Sequence, residues 1–157
     1  MGEDVRSEEV GAVIARKRPK PGERRIQILQ ALAAMLEQPQ HDRITTAALA
    51  ARLEVSEAAL YRHFASKAQM FEGLIEFIEQ SVFTLANQIM EREPKPDQQV
   101  ARLLGTVLQF AQKNPGMCRV MAGDALLLEH ERLGARMNQF WDRLESVLRQ
   151  AYKALAD

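Results

Sequence analysis

Apolar residues recur every three or four positions along most of the chain, which is the spacing of one face of an α-helix. The longest such stretch is expected to form a single helix from Lys67 to about Arg92. The apolar stripe of this helix consists of Phe71, Leu74, Ile75, Ile78, Val82, Leu85 and Ile89. Phe77 falls about 120° from the centre of the stripe at 100° per residue. It is therefore either covered by a neighbouring helix or offered to a partner.

Breaks and caps divide the remaining pattern into six further helices, with no strand-like alternation between them. The first helix is expected from Gly22 to Gln38, and its apolar face consists of Ile26, Leu29, Leu32, Ala33 and Leu36. The fifth is capped by Asp97 and runs to about Lys113. The sixth begins at Pro115, and a long seventh helix follows Gly123 to the end of the chain. The sequence thus predicts an all-α protein.

Two short helices joined by a tight turn occupy residues 44–64. Thr45 or Thr46 can cap the first, because a threonine hydroxyl accepts a hydrogen bond from a backbone N–H of the first turn. Ser56 caps the second, which is expected to run from Glu57 to Phe64. This arrangement predicts a helix-turn-helix, which places its second helix in the major groove of DNA.

Basic residues are concentrated in the N-terminal part of the chain. The net charge of the whole chain is zero, but residues 16–67 hold ten basic and five acidic residues, whereas residues 69–157 hold ten and twelve. Such a distribution is typical of a protein that contacts phosphate at one end. We therefore divide the chain into a basic, flexible arm (1–21), a DNA-binding head (22–66) and a helical body (67–157). The arm either follows DNA phosphates or a minor groove, or is a solvated tail without a role.

Hydroxyl, aromatic and basic side chains occupy the outer side of the two short helices and the start of the next helix, which Ser66 and Gln69 open as a capping box. The residues expected to hold DNA phosphates are Thr45, Thr46, Tyr61, His63 and Lys67. The residues expected nearest the base edges are Ser56, Glu57, Ala58 and Arg62. An arginine at the end of a helix can contact phosphate instead. Each residue alone is compatible with a solvated helix face, but their combination favours DNA binding.

Other functional classes lack their motifs. The sequence has no nucleophile–base set, no glycine-rich phosphate loop and no metal-ligand spacing, so we expect no catalytic residue, metal or cofactor. Residues 129–131, Glu-His-Glu, are expected to form a charged helix surface. Cys118 is the single cysteine, which excludes a disulfide within the chain and agrees with a reducing cytoplasm. No apolar run approaches the roughly 18 residues of a membrane span.

The residues around the second short helix resemble a known family. Leu60-Tyr61-Arg62-His63-Phe64 followed by Ser66-Lys67 resembles the end of the recognition helix in TetR-type regulators and the capped helix after it. Further similar segments are Arg43–Ala47, Val55–Phe64, Met70–Phe71, Leu74–Glu79, Asn114–Gly116 and Leu133–Asn138. Among TetR-type regulators, the chain is most similar to the nucleoid occlusion factors, over roughly residues 24–150.

The resemblance implies a TetR-like fold and a homodimer that binds palindromic sites in double-stranded DNA. It also implies a nucleoid-associated protein that inhibits assembly of the tubulin-like division GTPase FtsZ. In nucleoid occlusion factors the face formed by the fourth and fifth helices binds the tail of this GTPase. The partner-binding residues that the resemblance implies are Phe77, Lys113 and Asn114. The alternative is a ligand-responsive TetR-type repressor whose body binds a small inducer.

The chain departs from the family pattern at three places. The basic arm before Arg24 is longer than the family needs. Glu54 occupies the turn of the helix-turn-helix, where glycine is usual. If this position needs a left-handed backbone, a non-glycine residue costs about 1 kcal/mol. The sequence stops at Asp157, before the two further helices that build the dimer interface in the family. Either the natural protein is longer, or the seventh helix pairs in some other way.

Overall fold

The computed structural model describes residue 20 and residues 22–38 and 43–157. Within these residues the chain is helical and contains no strand. The helices are α1 (Glu23–Leu36), α2 (Thr46–Leu53), α3 (Glu57–Tyr61), α4 (Lys67–Arg92), α5 (Pro96–Lys113), α6 (Pro115–Ala122) and α7 (Arg132–Ala156), with a short 3-10 helix (Asp124–Leu126) before α7. Most of the predicted basic arm lies outside the described residues.

The caps predicted for α2 and α3 are confirmed. Thr45 Oγ1 accepts a hydrogen bond from the backbone N–H of Ala48 at 3.1 Å, and Ser56 Oγ accepts one from Ala59 at 3.2 Å. Each bond satisfies a donor that the first turn of a helix leaves unpaired. The starts of both helices are therefore fixed by residues that can be recognised in the sequence.

The turn between α2 and α3 has the left-handed residue that the family pattern requires. Glu54 has a φ of +56°, and the N–H groups of Glu54 and Val55 donate to the carbonyls of Ala51 and Ala50. This is the hydrogen-bond pattern of a Schellman motif, in which glycine is usual because it has no Cβ. The chain thus forms the turn with a glutamate, at a cost of about 1 kcal/mol.

The prediction that the recognition helix runs to Phe64 is wrong, because α3 ends at Tyr61. The N–H groups of His63 and Phe64 both donate to the carbonyl of Leu60, at 3.0 and 3.1 Å, which closes a turn. This turn brings the ring of Phe64 into the core, where it is almost completely buried. Burial of a large aromatic side chain outweighs continuation of a short helix.

Two further helix starts differ from the predictions. Asp97 does not cap α5: the N-cap is Lys95, and Pro96 takes the first helical position. Proline favours that position because its fixed φ suits a helix and its missing N–H needs no partner there. The seventh helix begins at Arg132 rather than directly after Gly123. Gly123, with a φ of +91°, ends α6, and the 3-10 helix buries Leu126 before α7 begins.

Helix α4 is the centre of the core, although its buried face rotates toward its C-terminal end. Five members of the predicted stripe, from Phe71 to Val82, are buried, but Leu85 is 49% exposed. Phe83 is buried instead, because α7 crosses α4 here with the rings of Phe83 and Phe140 5.3 Å apart. Similarly, α1 buries Ile28 and leaves Ile26 exposed.

The head is joined to the body by a close crossing of α1 and α6. A Cβ atom at Gly116 would lie 2.0 Å from the carbonyl oxygen of Ala33, so only glycine allows this approach. Arg119 of α6 then donates from Nη1 to the carbonyls of Leu36 at 2.8 Å and Gln38 at 3.1 Å. The body therefore supplies the C-terminal cap of the first helix of the head.

Candidate nucleic-acid interface

The outer side of α3 and the N-terminus of α2 form one surface. Thr46 Oγ1 donates to Glu57 Oε2 at 3.3 Å, and the Tyr61 hydroxyl donates to Thr46 Oγ1 at 3.5 Å. Other candidate residues around this cluster have exposed side chains; they are Thr45, Ser56, Ala58, Arg62 and His63. The structure thus brings eight of the nine predicted DNA-binding residues to α2, α3 and the turn that follows.

The inner side of α3 is anchored by Leu60, which is fully buried, and by an arginine that sequence reasoning missed. The guanidinium carbon of Arg25 lies 4.2 Å from the centre of the Phe64 ring. Arg25 Nη1 also donates to the carbonyl oxygen of His63 at 3.3 Å. This cation–π contact and hydrogen bond fix the turn after α3 against α1. The basic character of residues 16–25 was recognised in the sequence, but the partner of Arg25 is 38 positions away.

Lys67, the ninth candidate, is held by the body. Its Nζ donates to Glu129 Oε1 at 2.8 Å, and Nη2 of Arg43 lies 3.6 Å from Glu129 Oε2. The side chains of Lys67 and Glu129 are 18% and 5% exposed. The prediction that residues 129–131 form a charged helix surface is therefore wrong for Glu129, which is buried in an ion pair before α7 begins.

The N-terminus of α4 is capped, but its capping box is shifted by one residue. Ser66 Oγ accepts from the N–H of Gln69 at 3.2 Å, as predicted. Gln69 Oε1 accepts from the N–H of Ala65 at 2.9 Å, whereas a regular capping box would use the N–H of Ser66. Both bonds tie the start of α4 to the turn that follows α3.

The partner-binding candidate Phe77 lies in a groove between α1 and α4, whereas the resemblance implies a face formed by α4 and α5. Its side chain is 45% exposed, and the groove has a volume of about 400 Å³. The residues lining it with Phe77 are Arg25, Ile26, Leu29, Gln30, Gly73, Leu74, Glu76, Gln80 and Met117. Lys113 and Asn114 do not line this groove, although Met117, three residues after Asn114, does. Asn114 Nδ2 donates to the carbonyl of Phe110 at 2.9 Å, and Lys113 is exposed.

A larger apolar groove, of about 760 Å³, lies between α5 and α7. Its lining is Val100, Leu104, Val107, Leu108, Trp141, Leu144, Glu145, Leu148, Arg149 and Tyr152. Leu108 is 69% exposed there. Trp141 Nε1 donates to the carbonyl of Met121 at 3.0 Å, which holds α7 against the end of α6. This extent of exposed apolar surface is unusual unless another surface covers it.

No helix of the described residues is long and apolar enough to cross a membrane. In the same part of the chain, no three His, Cys, Asp or Glu side chains are grouped so that they could hold a metal ion.

Comparison with known proteins agrees with both parts of the fold. Residues 28–74 match the family model for bacterial regulatory proteins of the tetR family, and residues 98–156 match a tetracyclin repressor-like C-terminal domain of the SlmA-like type. The nucleoid occlusion factor SlmA of Marinomonas sp. is 55% identical over 134 residues, which are 85% of this chain and 68% of the relative. The SlmA of Idiomarina loihiensis is 55% identical over 133 residues, with the same two shares. The SlmA of Photobacterium profundum is 53% identical over 135 residues, which are 85% of this chain and 69% of the relative. The chain therefore belongs to the SlmA family of nucleoid occlusion factors, a branch of the TetR-type DNA-binding regulators.

Proposed function

We propose that the chain binds palindromic sites in chromosomal double-stranded DNA through α2 and α3, and that the bound protein inhibits FtsZ assembly over the nucleoid. The observation that carries the proposal is the single surface formed by Thr46, Glu57 and Tyr61. A short helix with one buried and one exposed side can lie in the major groove without losing its anchorage in the core. The protein then acts in the cytoplasm, on the nucleoid.

The roles within this surface follow from side-chain chemistry. The hydroxyl groups of Thr45, Thr46 and Tyr61 and the ring of His63 donate to phosphate oxygens, which fixes the register of the protein on the duplex. Thr46 and Tyr61 leave their acceptors in the single chain, Glu57 and Thr46, when they do so. The residues nearest the base edges are Ser56, Glu57, Ala58 and Arg62. Arginine donates to guanine and a carboxylate accepts from cytosine N4, so Arg62 and Glu57 are the strongest candidates for sequence readout. Lys67 reaches a phosphate only if its ammonium group binds the phosphate and Glu129 at the same time, or breaks its ion pair with Glu129.

The groove at Phe77 supports the second half of the proposal. Phe77, Ile26 and Met117 give it apolar walls, and Arg25 adds a positive charge at its edge. An acidic, partly apolar peptide fits such a groove, because its apolar side chains enter the groove and its carboxylates stay near the arginine. The resemblance to the family implies that the acidic tail of FtsZ is the peptide that binds here. Lys113 and Asn114, at the end of α5, extend the proposed contact toward α6.

Replacement of Phe77 by alanine is expected to separate the two activities. Phe77 is exposed in its groove and is not one of the proposed DNA-binding residues. Phe77→Ala should therefore bind labelled chromosomal DNA fragments within about twofold of the wild-type affinity. The same variant should no longer inhibit FtsZ polymerisation in the presence of DNA, measured by sedimentation. The control is Gln80→Ala on the same groove, which removes an exposed polar side chain and should retain both activities.

Three outcomes of this experiment would contradict the proposal. If neither protein binds any chromosomal fragment at low salt, the DNA-binding function is wrong. If Phe77→Ala inhibits FtsZ as well as the wild type does, the groove is not the site of contact. If the variant loses DNA binding and FtsZ inhibition together, Phe77 is a structural residue of the fold.

The apolar face of α5 and α7 supports a homodimer in which this face takes the place of the two further helices that build the dimer interface in the family. A palindrome presents two half-sites about 34 Å apart, and a two-fold pair of heads reads both. In a two-fold dimer each chain contributes the same surface, so an apolar face on one chain meets an apolar face on the other. The face formed by Leu104, Leu108 and Trp141 has the composition of such an interface.

A charge in this face is expected to prevent pairing. Leu108→Glu should give a monomer by light scattering at concentrations at which the wild type is a dimer, because an unpaired carboxylate would be buried in the interface. Its fold should be retained, since Leu108 is 69% exposed in the single chain. Gln109→Glu adds the same charge at the neighbouring exposed position, outside the groove lining, and should remain dimeric. A wild-type monomer at every concentration would overturn the dimer.

A further inference from the structure

Glu129 lies where the body meets the head. Its carboxylate accepts a hydrogen bond from Lys67 Nζ at 2.8 Å and lies 3.6 Å from Nη2 of Arg43. Arg43 belongs to the head, and Lys67 is the first residue of α4, directly after the head ends. One nearly buried carboxylate of the body therefore binds two cations at the edge of the DNA-binding surface.

Arg43 lies close to Thr45, which the proposed function assigns to the DNA backbone, and Lys67 is itself an assigned phosphate contact. Arg43 is two residues before Thr45, the N-cap of α2, and Lys67 follows Ser66, the N-cap of α4. Helix N-termini attract phosphate through their N–H groups and their dipole. A phosphate that arrives at either cap competes with Glu129 for the same cations, because phosphate and carboxylate oxygens both accept hydrogen bonds from arginine and lysine.

From this competition we infer that Glu129 is an electrostatic latch that opens when DNA binds, and thereby transmits DNA occupancy from the head to the body. The inference rests on the proposed DNA-binding function. A carboxylate that loses its cation cannot stay at 5% exposure without a large desolvation penalty. The segment that carries it, residues 127–131, must then move toward water.

The position of this segment explains how its movement reaches the body. It follows the buried Leu126 and leads directly into α7, whose first residue, Arg132, donates from Nε to Glu72 Oε1 of α4 at 2.7 Å. Leu127 and Leu128 are exposed on the segment, so few apolar contacts oppose its displacement. Because coupling between two sites is reciprocal, a contact that stabilises the closed position of the segment lowers the affinity for DNA by the factor by which DNA destabilises that position.

The test compares DNA affinity with and without the latch. Glu129→Gln leaves Arg43 and Lys67 available for phosphate, and is expected to bind a labelled chromosomal fragment about tenfold more tightly than the wild type in fluorescence anisotropy at about 0.15 M salt. Glu131→Gln removes the same charge from the same segment, two residues on, and should change the affinity by less than about twofold. Glu129→Asp keeps the charge but shortens its reach, and should give an intermediate gain.

Hydrogen exchange provides a readout that does not depend on affinity. The N–H groups of Leu127 and Glu129 donate to the carbonyls of Asp124 at 3.4 Å and Leu126 at 3.1 Å, so their exchange reports on the segment. We expect faster exchange of both amides when the wild type binds DNA, and equally fast exchange in Glu129→Gln without DNA.

The possible failures are distinguishable. If the wild type binds DNA and Glu129→Gln binds equally well or more weakly, Glu129 only positions Lys67 and the latch is wrong, while the proposed function stands. Unchanged exchange of residues 127–131 on DNA binding likewise overturns the latch alone. If neither protein binds DNA at low salt, the proposed function fails and the latch fails with it.

Discussion

Gly116→Ala is expected to lower the free energy of unfolding by about 3 kcal/mol. The added Cβ would lie 2.0 Å from the carbonyl oxygen of Ala33 and 2.9 Å from its carbonyl carbon. Both atoms belong to the backbone of α1, so no rotation of a side chain can relieve the overlap. Helix α6 must move away from α1, which opens apolar contacts at the junction of head and body.

The same movement removes a polar contact. Arg119, one turn after Gly116 on α6, donates to the carbonyls of Leu36 and Gln38, and a shift of more than about 1 Å breaks hydrogen bonds of this length. The C-terminal end of α1 then loses its cap, and the head loses a fixed orientation. For a chain of about this size, 3 kcal/mol corresponds to a fall in Tm of about 10 °C by calorimetry or circular dichroism.

Two other glycines provide matched controls. Gly105 in α5 and Gly134 in α7 are helical positions at which an added Cβ would meet no atom within 4 Å. Alanine there should raise the stability by about 0.5–1 kcal/mol, because glycine loses more backbone entropy in a helix. If Gly116→Ala melted with these controls or above the wild type, the close crossing of α1 and α6 would be contradicted.

The sequence was sufficient wherever the determinant is local. Ser66 opens α4 and the prolines after Arg92 end it, so both ends of this helix were predicted at the residues where the structure has them. Thr45 and Ser56 were recognised for the same reason, since a cap acts within four residues. Glycine is usual at position 54 in the family, and the left-handed backbone that glycine favours is present there at Glu54.

The errors arise where the determinant is a distant neighbour. The end of α3 depends on burial of Phe64 beneath Arg25, and the rotation of the buried face from Leu85 to Phe83 depends on where α7 crosses. Helical periodicity gives the width of an apolar face but not which part of it a neighbouring helix covers. Glu129 is the clearest case, because its partner Lys67 is 62 positions away and nothing local distinguishes it from the exposed Glu131.

Loss of DNA affinity in the double variant Tyr61→Ala, Lys67→Ala is the second large effect that we expect. Tyr61→Ala removes the hydroxyl that donates to Thr46 Oγ1, and with it a proposed phosphate contact. Lys67→Ala removes the ammonium group that lies 2.8 Å from Glu129 Oε1 and leaves Glu129 with Arg43, whose Nη2 is 3.6 Å away. Glu129 would then repel the duplex instead of neutralising a neighbouring lysine.

The expected loss is about 30- to 100-fold in affinity at moderate salt, which corresponds to about 2–3 kcal/mol. The slope of log affinity against log salt should also become shallower by about 1 for each half-site, because one cationic contact is removed from each. Tyr61→Phe keeps the ring and therefore measures the contribution of the hydroxyl alone. Lys153→Ala removes an exposed lysine from the body and is the control for net charge.

Lys67→Ala, alone and combined with Glu129→Gln, distinguishes a phosphate contact of Lys67 from a role only as the counter-ion of Glu129. If Lys67 holds a phosphate in the complex, Lys67→Ala should weaken binding on its own, and adding Glu129→Gln should restore part of the affinity by removing the unpaired carboxylate. If Lys67 serves only as the counter-ion of Glu129, the double variant Lys67→Ala, Glu129→Gln should bind DNA as tightly as the wild type. A Tyr61→Ala, Lys67→Ala protein with wild-type affinity would contradict both roles and remove α3 from the DNA interface.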